Sequence, residues 1–229
     1  MTPTRNGPRG RGYVRVMADL EFFFDPICPW AWITSRFTVE VARQRDLTVD
    51  WRFICLRMVN EEKDYDREFP PGYVNAHRAG QRMLRIAAAA RRDDGNPAVD
   101  AVYTAFGELL HTAGRSEELR DGDDSVIGEA VEQAGLPPAL VSAGDDEALD
   151  AVVREETELA LSRTGKQVGT PIITFGPGTD GETSFFGPVI ARVPRGEEAL
   201  RVWDAVELLA RTPGFAELKR SARDRPSFS

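Results

Sequence analysis

Residues 22–37 read FFFDPICPWAWITSRF. The three phenylalanines close an apolar run, Leu20 to Phe24, that Asp25 and Pro26 stop. A compact run of this kind reads as a buried strand. Pro29 suits the first turn of a helix, where a backbone N–H has no partner to lose. Trp30, Ile33, Phe37, Val41 and Ala42 then recur at helical spacing, and the pattern fades near Arg45. Beyond it, TVDWRFICL at 48–56 is β-branched and aromatic and predicts a second strand. Strand, helix and strand so closely spaced predict a right-handed βαβ unit with parallel strands.

The middle of the chain has a different character. From about Pro70 to Thr164 the sequence carries helical signals and no convincing strand. Tyr73, Ala76, Met83, Leu84 and Ala87 lie on one helical face. Val99, Val102, Tyr103, Phe106, Leu109 and Leu110 form a stronger stripe. Val126, Ile127, Ala130 and Val131 make a third, stopped by Gly135; Leu136–Pro137–Pro138 opens a short fourth, and Leu149, Val152, Val153 and Leu159 belong to a fifth. Short polar connections join them into a small bundle. Strand signals return after Gly169: PIITF and TSFFG flank the glycine-rich loop GPGTDG, as in a hairpin. A last amphipathic helix, RGEEALRVWDAVELLARTPG, has acids in its first turn and a Pro–Gly stop.

The order is therefore βαβ, helical insert, ββα: an α/β chain in the thioredoxin-like arrangement, with the inserted helical domain of the DsbA variant. The expected division is an arm at 1–17, the N-terminal half of the thioredoxin-like domain at 18–62, the helical insertion at 63–164, the C-terminal half at 165–222, and a tail at 223–229. The arm, MTPTRNGPRGRGYVRVM, is basic, lacks an apolar stretch and reads as a disordered, solvated segment rather than a signal peptide.

Two features of this architecture carry chemistry. Cys28 follows a strand and opens a helix, where unpaired N–H groups and the helix dipole favour a thiolate, the nucleophilic form of cysteine. It is the candidate catalytic residue, with an expected pKa below the ordinary thiol range. Thr170–Pro171 lies just before the third strand, where thioredoxin-like folds carry a cis proline beside the cysteine, leaving the preceding backbone free to pair with a substrate.

Composition narrows the function further. A net charge of −8 lacks the basic face that nucleic acid or an anionic membrane surface requires. Two cysteines, Cys28 and Cys55, cannot build a disulfide scaffold, which predicts a reduced, cytoplasmic setting. No apolar stretch is long enough to span a bilayer. No nucleotide fingerprint is present. His77 and His111 are too far from any cysteine pattern to read as zinc ligands, and exposed or packing roles are expected for both. No metal is expected. EEKDYDRE at 61–68 reads as a solvated charge run at the hinge into the insert, and Phe185–Phe186–Gly187–Pro188 as core followed by a turn. Cys55, at the end of the second strand, is expected to be a small core residue; its alternative role is as a resolving thiol on the same edge as Cys28.

The stretches FDPICPWAWITSR, VNEE, YTAFGELLH, VGTPII, FFGPVIARVPRGEEA and WDA make the chain, from about Asp19 to Lys219, resemble the DsbA-family mycothiol-dependent reductases, among them the mycothiol-dependent nitroreductases. The resemblance implies a cytoplasmic oxidoreductase that exchanges thiols with mycothiol, a low-molecular-weight thiol, and acts on small disulfide, electrophilic or nitro substrates. It implies Cys28 as nucleophile and Pro29, Trp30, Thr170 and Pro171 as the residues shaping the thiol site; it assigns no role to His111. Ala31 departs from the pattern, because the resembling reductases have CPWC where this chain has CPWA. A dithiol site resolves its own mixed disulfide by internal attack, and Ala31 removes that route. Three readings follow: a natural monothiol enzyme, a related transferase or isomerase, or a trapping substitution made in the laboratory. Kappa-class glutathione transferases and 2-hydroxychromene-2-carboxylate isomerases place SPYAY-like motifs at the same position and bind a thiol cofactor instead of exchanging disulfides. A non-catalytic thioredoxin-fold binding module is a third class.

Overall fold

Strand β1 (Leu20–Phe24) enters the core, helix α1 (Pro29–Arg45) returns along it, and β2 (Val49–Phe53) pairs with β1 in parallel, Leu20 against Val49 through Phe24 against Phe53. This is a computed structural model, and it describes residues 18–222 and 224–228. The arm expected at 1–17 lies outside the described residues. Helices α2 (Leu56–Val59), α3 (Tyr65–Glu68), α4 (Tyr73–Asp94), α5 (Asn96–Gly107), α6 (Ser116–Asp121), α7 (Ser125–Gln133) and α8 (Asp150–Thr164) follow. The chain then re-enters the sheet as β3 (Ile172–Phe175), turns into β4 (Thr183–Phe186) and ends its regular structure with α9 (Gly196–Arg211). The sheet order is β2–β1–β3–β4, with β3 antiparallel to both β1 and β4. This is the expected thioredoxin-like arrangement, with helices inserted between its halves.

Beta1 is buried along its whole length because both faces are covered. On one face Phe24 stacks on Tyr103 of α5 at 3.8 Å between ring centroids, and Phe22 meets Trp51 edge-on at 5.3 Å. On the other, Phe23 packs with Ile54, Ile172 and Ala160 of α8. Trp203 of α9 closes the first layer, its ring 5.5 Å from those of both Phe37 and Phe175. Offset and edge-on ring pairs of this kind add to the stabilisation that burial of the rings already supplies.

Two departures from the sequence expectations have clear causes. The second strand stops at Phe53 rather than Leu56, because the Leu56 N–H donates to Asp25 Oδ2 at 2.7 Å and starts α2 instead of continuing the ladder. Cys55 is therefore the N-cap of α2 and not the end of a strand. In α1 the deeply buried tryptophan is Trp32, at 2% exposure, while Trp30 is only half-buried. Trp32 sinks into the insert because Gly107 has no side chain: a Cβ there would lie 2.1 Å from the indole Cε3. The chain then widens into a π-helical turn, Glu108–Thr112, a geometry found mostly as single turns and frequently near functional sites.

The insert is tied to the sheet by charge as well as by packing. Glu156 of α8 is buried, accepts the Phe53 N–H at 2.9 Å, and pairs with Arg91 of α4 at 2.9 Å and Arg52 of β2 at 3.3 Å. Buried Glu21 of β1 pairs with Arg163 of α8 at 2.5 Å. Buried charges are tolerated only when paired and hydrogen-bonded, so these contacts fix where α4 and α8 sit.

Candidate active site

Cys28 is the N-cap of α1, at the carboxyl end of β1. Its sulfur accepts the Ala31 N–H at 3.5 Å and donates its own proton to the Thr170 carbonyl at 3.6 Å. Thr170 is anchored in turn by its hydroxyl, which donates to the Phe23 carbonyl at 3.1 Å. The Thr170–Pro171 peptide bond is cis. Five sequence-derived candidates, Cys28, Pro29, Trp30, Thr170 and Pro171, are thus brought together where β1, α1 and the entry to β3 meet. Pro29 and Trp30 are half-buried and offer the accessible part of the site; Thr170 and Pro171 are buried. Ala31 is fully buried beside the sulfur, in the place a second thiol would take.

The electrostatics overturn one expectation. The sequence predicts a Cys28 thiol below its ordinary range, yet burial pushes it up to about 12. The N–H groups of Ala31 and Trp30 lower it and the Asp25 charge raises it, both by less than burial does. A helix N-terminus presents only about half an elementary charge, and a cysteine left only 7% exposed loses more hydration than that returns. The resting group is therefore a neutral thiol hydrogen-bonded to Thr170. Cys55 is fully buried, its N–H donates to Thr157 Oγ1 at 3.0 Å, and burial pushes its thiol up to about 12 as well. Both cysteines are free thiols.

Asp25, which the sequence marks only as a strand stop, is the hub beneath the site. It is wholly buried; Oδ1 accepts the Ile27 N–H at 3.1 Å and Oδ2 accepts the Leu56 N–H. One carboxyl thus shapes the loop before Cys28 and ties it to the cap at Cys55. Burial pushes Asp25 up to about 7, outweighing both hydrogen bonds, and its charge acts on both thiols. Gly80 of α4 permits this approach, since a Cβ there would lie 2.9 Å from Oδ1.

The two histidines have packing roles, and neither is exposed. His77 Nδ1 lies 2.7 Å from the hydroxyl of Tyr65, the one residue of the 61–68 run that is not exposed, while the charged residues around it stay solvated. His111, carried by the π-turn, places Nε2 2.9 Å from the Pro26 carbonyl. A carbonyl only accepts, so Nε2 bears the proton. Burial lowers both rings to about 4, keeping them neutral. The His111 ring centroid is 6.4 Å from that of Trp32, and the Arg36 guanidinium lies over the same Trp32 ring, 4.2 Å from its centroid. No signal in HT at 111–112 shows this contact; only the π-turn creates it.

Among the described residues no three metal-ligating side chains cluster, and no helix is long and apolar enough to cross a membrane. A cleft of about 500 Å³ lies at the opposite end of the sheet, lined by Glu21, Asp50, Asn96, Arg163 and Glu182, away from either thiol.

Comparison with known proteins agrees with this geometry. The family described as mycothiol-dependent nitroreductase Rv2466c matches residues 27–220. The uncharacterized protein Rv2286c of Mycobacterium tuberculosis is 30% identical over 209 residues, covering 89% of this chain and 82% of that protein. The crystal structure of the disulfide oxidoreductase DsbA from Proteus mirabilis superposes with a TM-score of 0.50 at 17% identity, covering 87% of this chain and 91% of that one, which supports the fold alone. The chain belongs to the Rv2466c-like, mycothiol-dependent nitroreductase family, thiol-dependent oxidoreductases of DsbA-related, thioredoxin-like fold that act through a cysteine nucleophile.

Proposed function

We propose that this chain is a monothiol member of its family, with Cys28 as the nucleophile and mycothiol as co-substrate. The observation that carries the reading is the pairing of Cys28 Sγ with the Thr170 carbonyl, 142 positions away in sequence, with buried Ala31 where a resolving thiol would stand. The Cys28 thiol gives its proton to solvent, which returns one to the expelled RS⁻. The thiolate then attacks one sulfur of a disulfide RS–SR, forming a Cys28–S–SR bond and expelling RS⁻. A second thiolate from solution attacks the mixed disulfide, restoring the Cys28 thiolate and leaving with RS as a new disulfide. Pro29 and Trp30 line the entry for that external thiol, and Thr170 and Pro171 seat its backbone-like portion. Small disulfides and electrophiles are the substrates proposed, nitro compounds among them, and a cytoplasmic setting suits two free thiols.

A second reading has its own support. Cys28 pushed up to about 12, with its S–H donating to the Thr170 carbonyl, suits a group that orients a thiol cofactor without reacting. In that case the cofactor's sulfur is the nucleophile, as in a kappa-class-like transferase or an isomerase. Activity of Cys28→Ser and Cys55→Ser, measured as mycothiol-dependent reduction of a small disulfide, separates the two. The monothiol reading expects loss of turnover in Cys28→Ser and retention in Cys55→Ser. Turnover retained in Cys28→Ser would reject it in favour of the orienting role.

A further inference from the structure

Beyond α9 most of 212–222 and both 224 and 225 are exposed, with Leu218 at 81% exposure, and the chain then meets the body of the protein at 226–228. Pro226 and Phe228 are partly buried while Ser227 between them is exposed, the alternation of an extended segment lying on a surface. The Ser227 N–H donates to the Ala191 carbonyl at 2.7 Å. The Phe228 ring stacks on His111 with centroids 5.7 Å apart and planes 29° apart.

Both anchor points belong to the surroundings of Cys28. His111 is bonded to the Pro26 carbonyl, two residues before the cysteine. Ala191 lies three residues after Pro188, whose carbonyl accepts the Thr34 hydroxyl of α1 at 2.7 Å. The terminal segment therefore joins the insert's π-turn to the loop after β4, and both of these flank the first turns of α1.

We propose that Pro226–Phe228 is an intramolecular cover of the thiol site, and that it lifts to let Cys28 meet a substrate. The consequence for turnover rests on Cys28 being the working thiol; the cover itself does not. The occupant is this chain's own segment 226–228, whose contacts include the Ser227 main-chain hydrogen bond and the Phe228 ring stack. An extended, ring-bearing segment of another molecule would present the same groups and compete for the same place.

The test reads accessibility rather than activity, so its failure differs from failure of the proposed function. Alkylation of the full chain by iodoacetamide is followed by peptide mass spectrometry at Cys28 and Cys55. Phe228→Ala removes the ring; Ser227→Pro removes the main-chain donor to Ala191. Each is expected to speed Cys28 alkylation tenfold or more and to leave Cys55 unchanged, and Phe228→Trp, which keeps a stacking ring, is expected to remain slow. With residues 224–229 deleted, adding the peptide DRPSFS is expected to slow Cys28 again. Cys28 rates equal to the parent's in both Phe228→Ala and Ser227→Pro would overturn the cover. So would Cys28 and Cys55 accelerating together, since that reports general loosening instead of a lifted segment.

Discussion

Replacing Gly107 by alanine sets two effects of opposite sign against each other. In a helix, Gly to Ala gains about 1 kcal/mol from propensity. At position 107 the new Cβ would lie 2.1, 2.2 and 2.5 Å from three carbons of the Trp32 indole. Non-bonded carbons prefer separations of about 3.5–4 Å, so each contact is inside that range by more than ~1 Å. The indole has nowhere to retreat: it is 2% exposed, meets Tyr103 edge-on at 5.8 Å, and carries Arg36 over its face. Overpacking costs about 1–3 kcal/mol, and three simultaneous overlaps place this case at the upper end. Packing wins, with a net loss of about 2 kcal/mol. Guanidinium unfolding should show a lower midpoint at unchanged slope, and thermal unfolding a fall of roughly 4–8 °C. Gly128→Ala in α7 is the control, because nothing lies within 4 Å of its Cβ position; there propensity acts alone and stability should rise by up to ~1 kcal/mol. Gly107→Ala as stable as the parent, or more so, would refute the close packing of α1 against the insert.

Two further outcomes follow from the buried charges. Glu156→Gln removes the buried anion that half-buried Arg52 and Arg91 face; Arg52 keeps Asp50 and Glu21, so a loss of about 1–3 kcal/mol is expected; denaturant unfolding with a loss under ~0.5 kcal/mol would show that the cluster is not what anchors α8. His77 and His111 titrate near 4 when folded against an ordinary 6.5, so the unfolded chain takes up protons that the folded chain refuses. Their stabilising contribution is full above pH 6.5 and is lost as pH falls through 4. Asp25 has the opposite sign: raised from 3.8 to about 7, it stabilises fully below 3.8, and that contribution is lost as pH rises through 7. Across pH 4–6.5 the two rings contribute a climb of stability with pH, opposed by Asp25 and by half-buried Asp100 and buried Glu156, whose carboxyls burial also raises. Unfolding midpoints measured over this range in the parent and in His77→Gln/His111→Gln check it, the variant losing the rings' contribution; an equal pH dependence in both would contradict the assignment.

Much of this was legible in the sequence because each local signal agreed with the fold. Leu20–Phe24 is wholly apolar apart from Glu21, and the strand stop at Pro26 and the helix start at Pro29 both rest on the covalent ring of proline, which tertiary structure does not override. What stayed hidden depends on contacts between distant segments. Trp30 and Trp32 are indistinguishable as tryptophans at the start of a helix, and only Gly107, 75 positions from Trp32, decides which is swallowed. FICL looks like a continuing strand until Asp25 takes the Leu56 N–H. The helix-start argument for Cys28 correctly placed the sulfur near N–H groups, but burial is set by the surrounding elements and cannot be read from CPWA. His111 needed a π-turn, and nothing in RPSFS at 225–229 announces that Phe228 returns to it.

The central claim is that one thiol does the exchange and that Ala31 leaves it without an internal partner. Exposing the protein to oxidised mycothiol, quenching with acid and mapping peptides by mass spectrometry measures this directly. The account predicts a single stable mycothiol adduct on Cys28 with Cys55 unmodified. In Ala31→Cys, where positions 28 and 31 lie about one helical turn apart, the adduct should be short-lived and end as a disulfide between those two positions without added thiol. An adduct on Cys55, a Cys28–Cys55 disulfide in the parent chain, or no adduct while reduced mycothiol binds would contradict it.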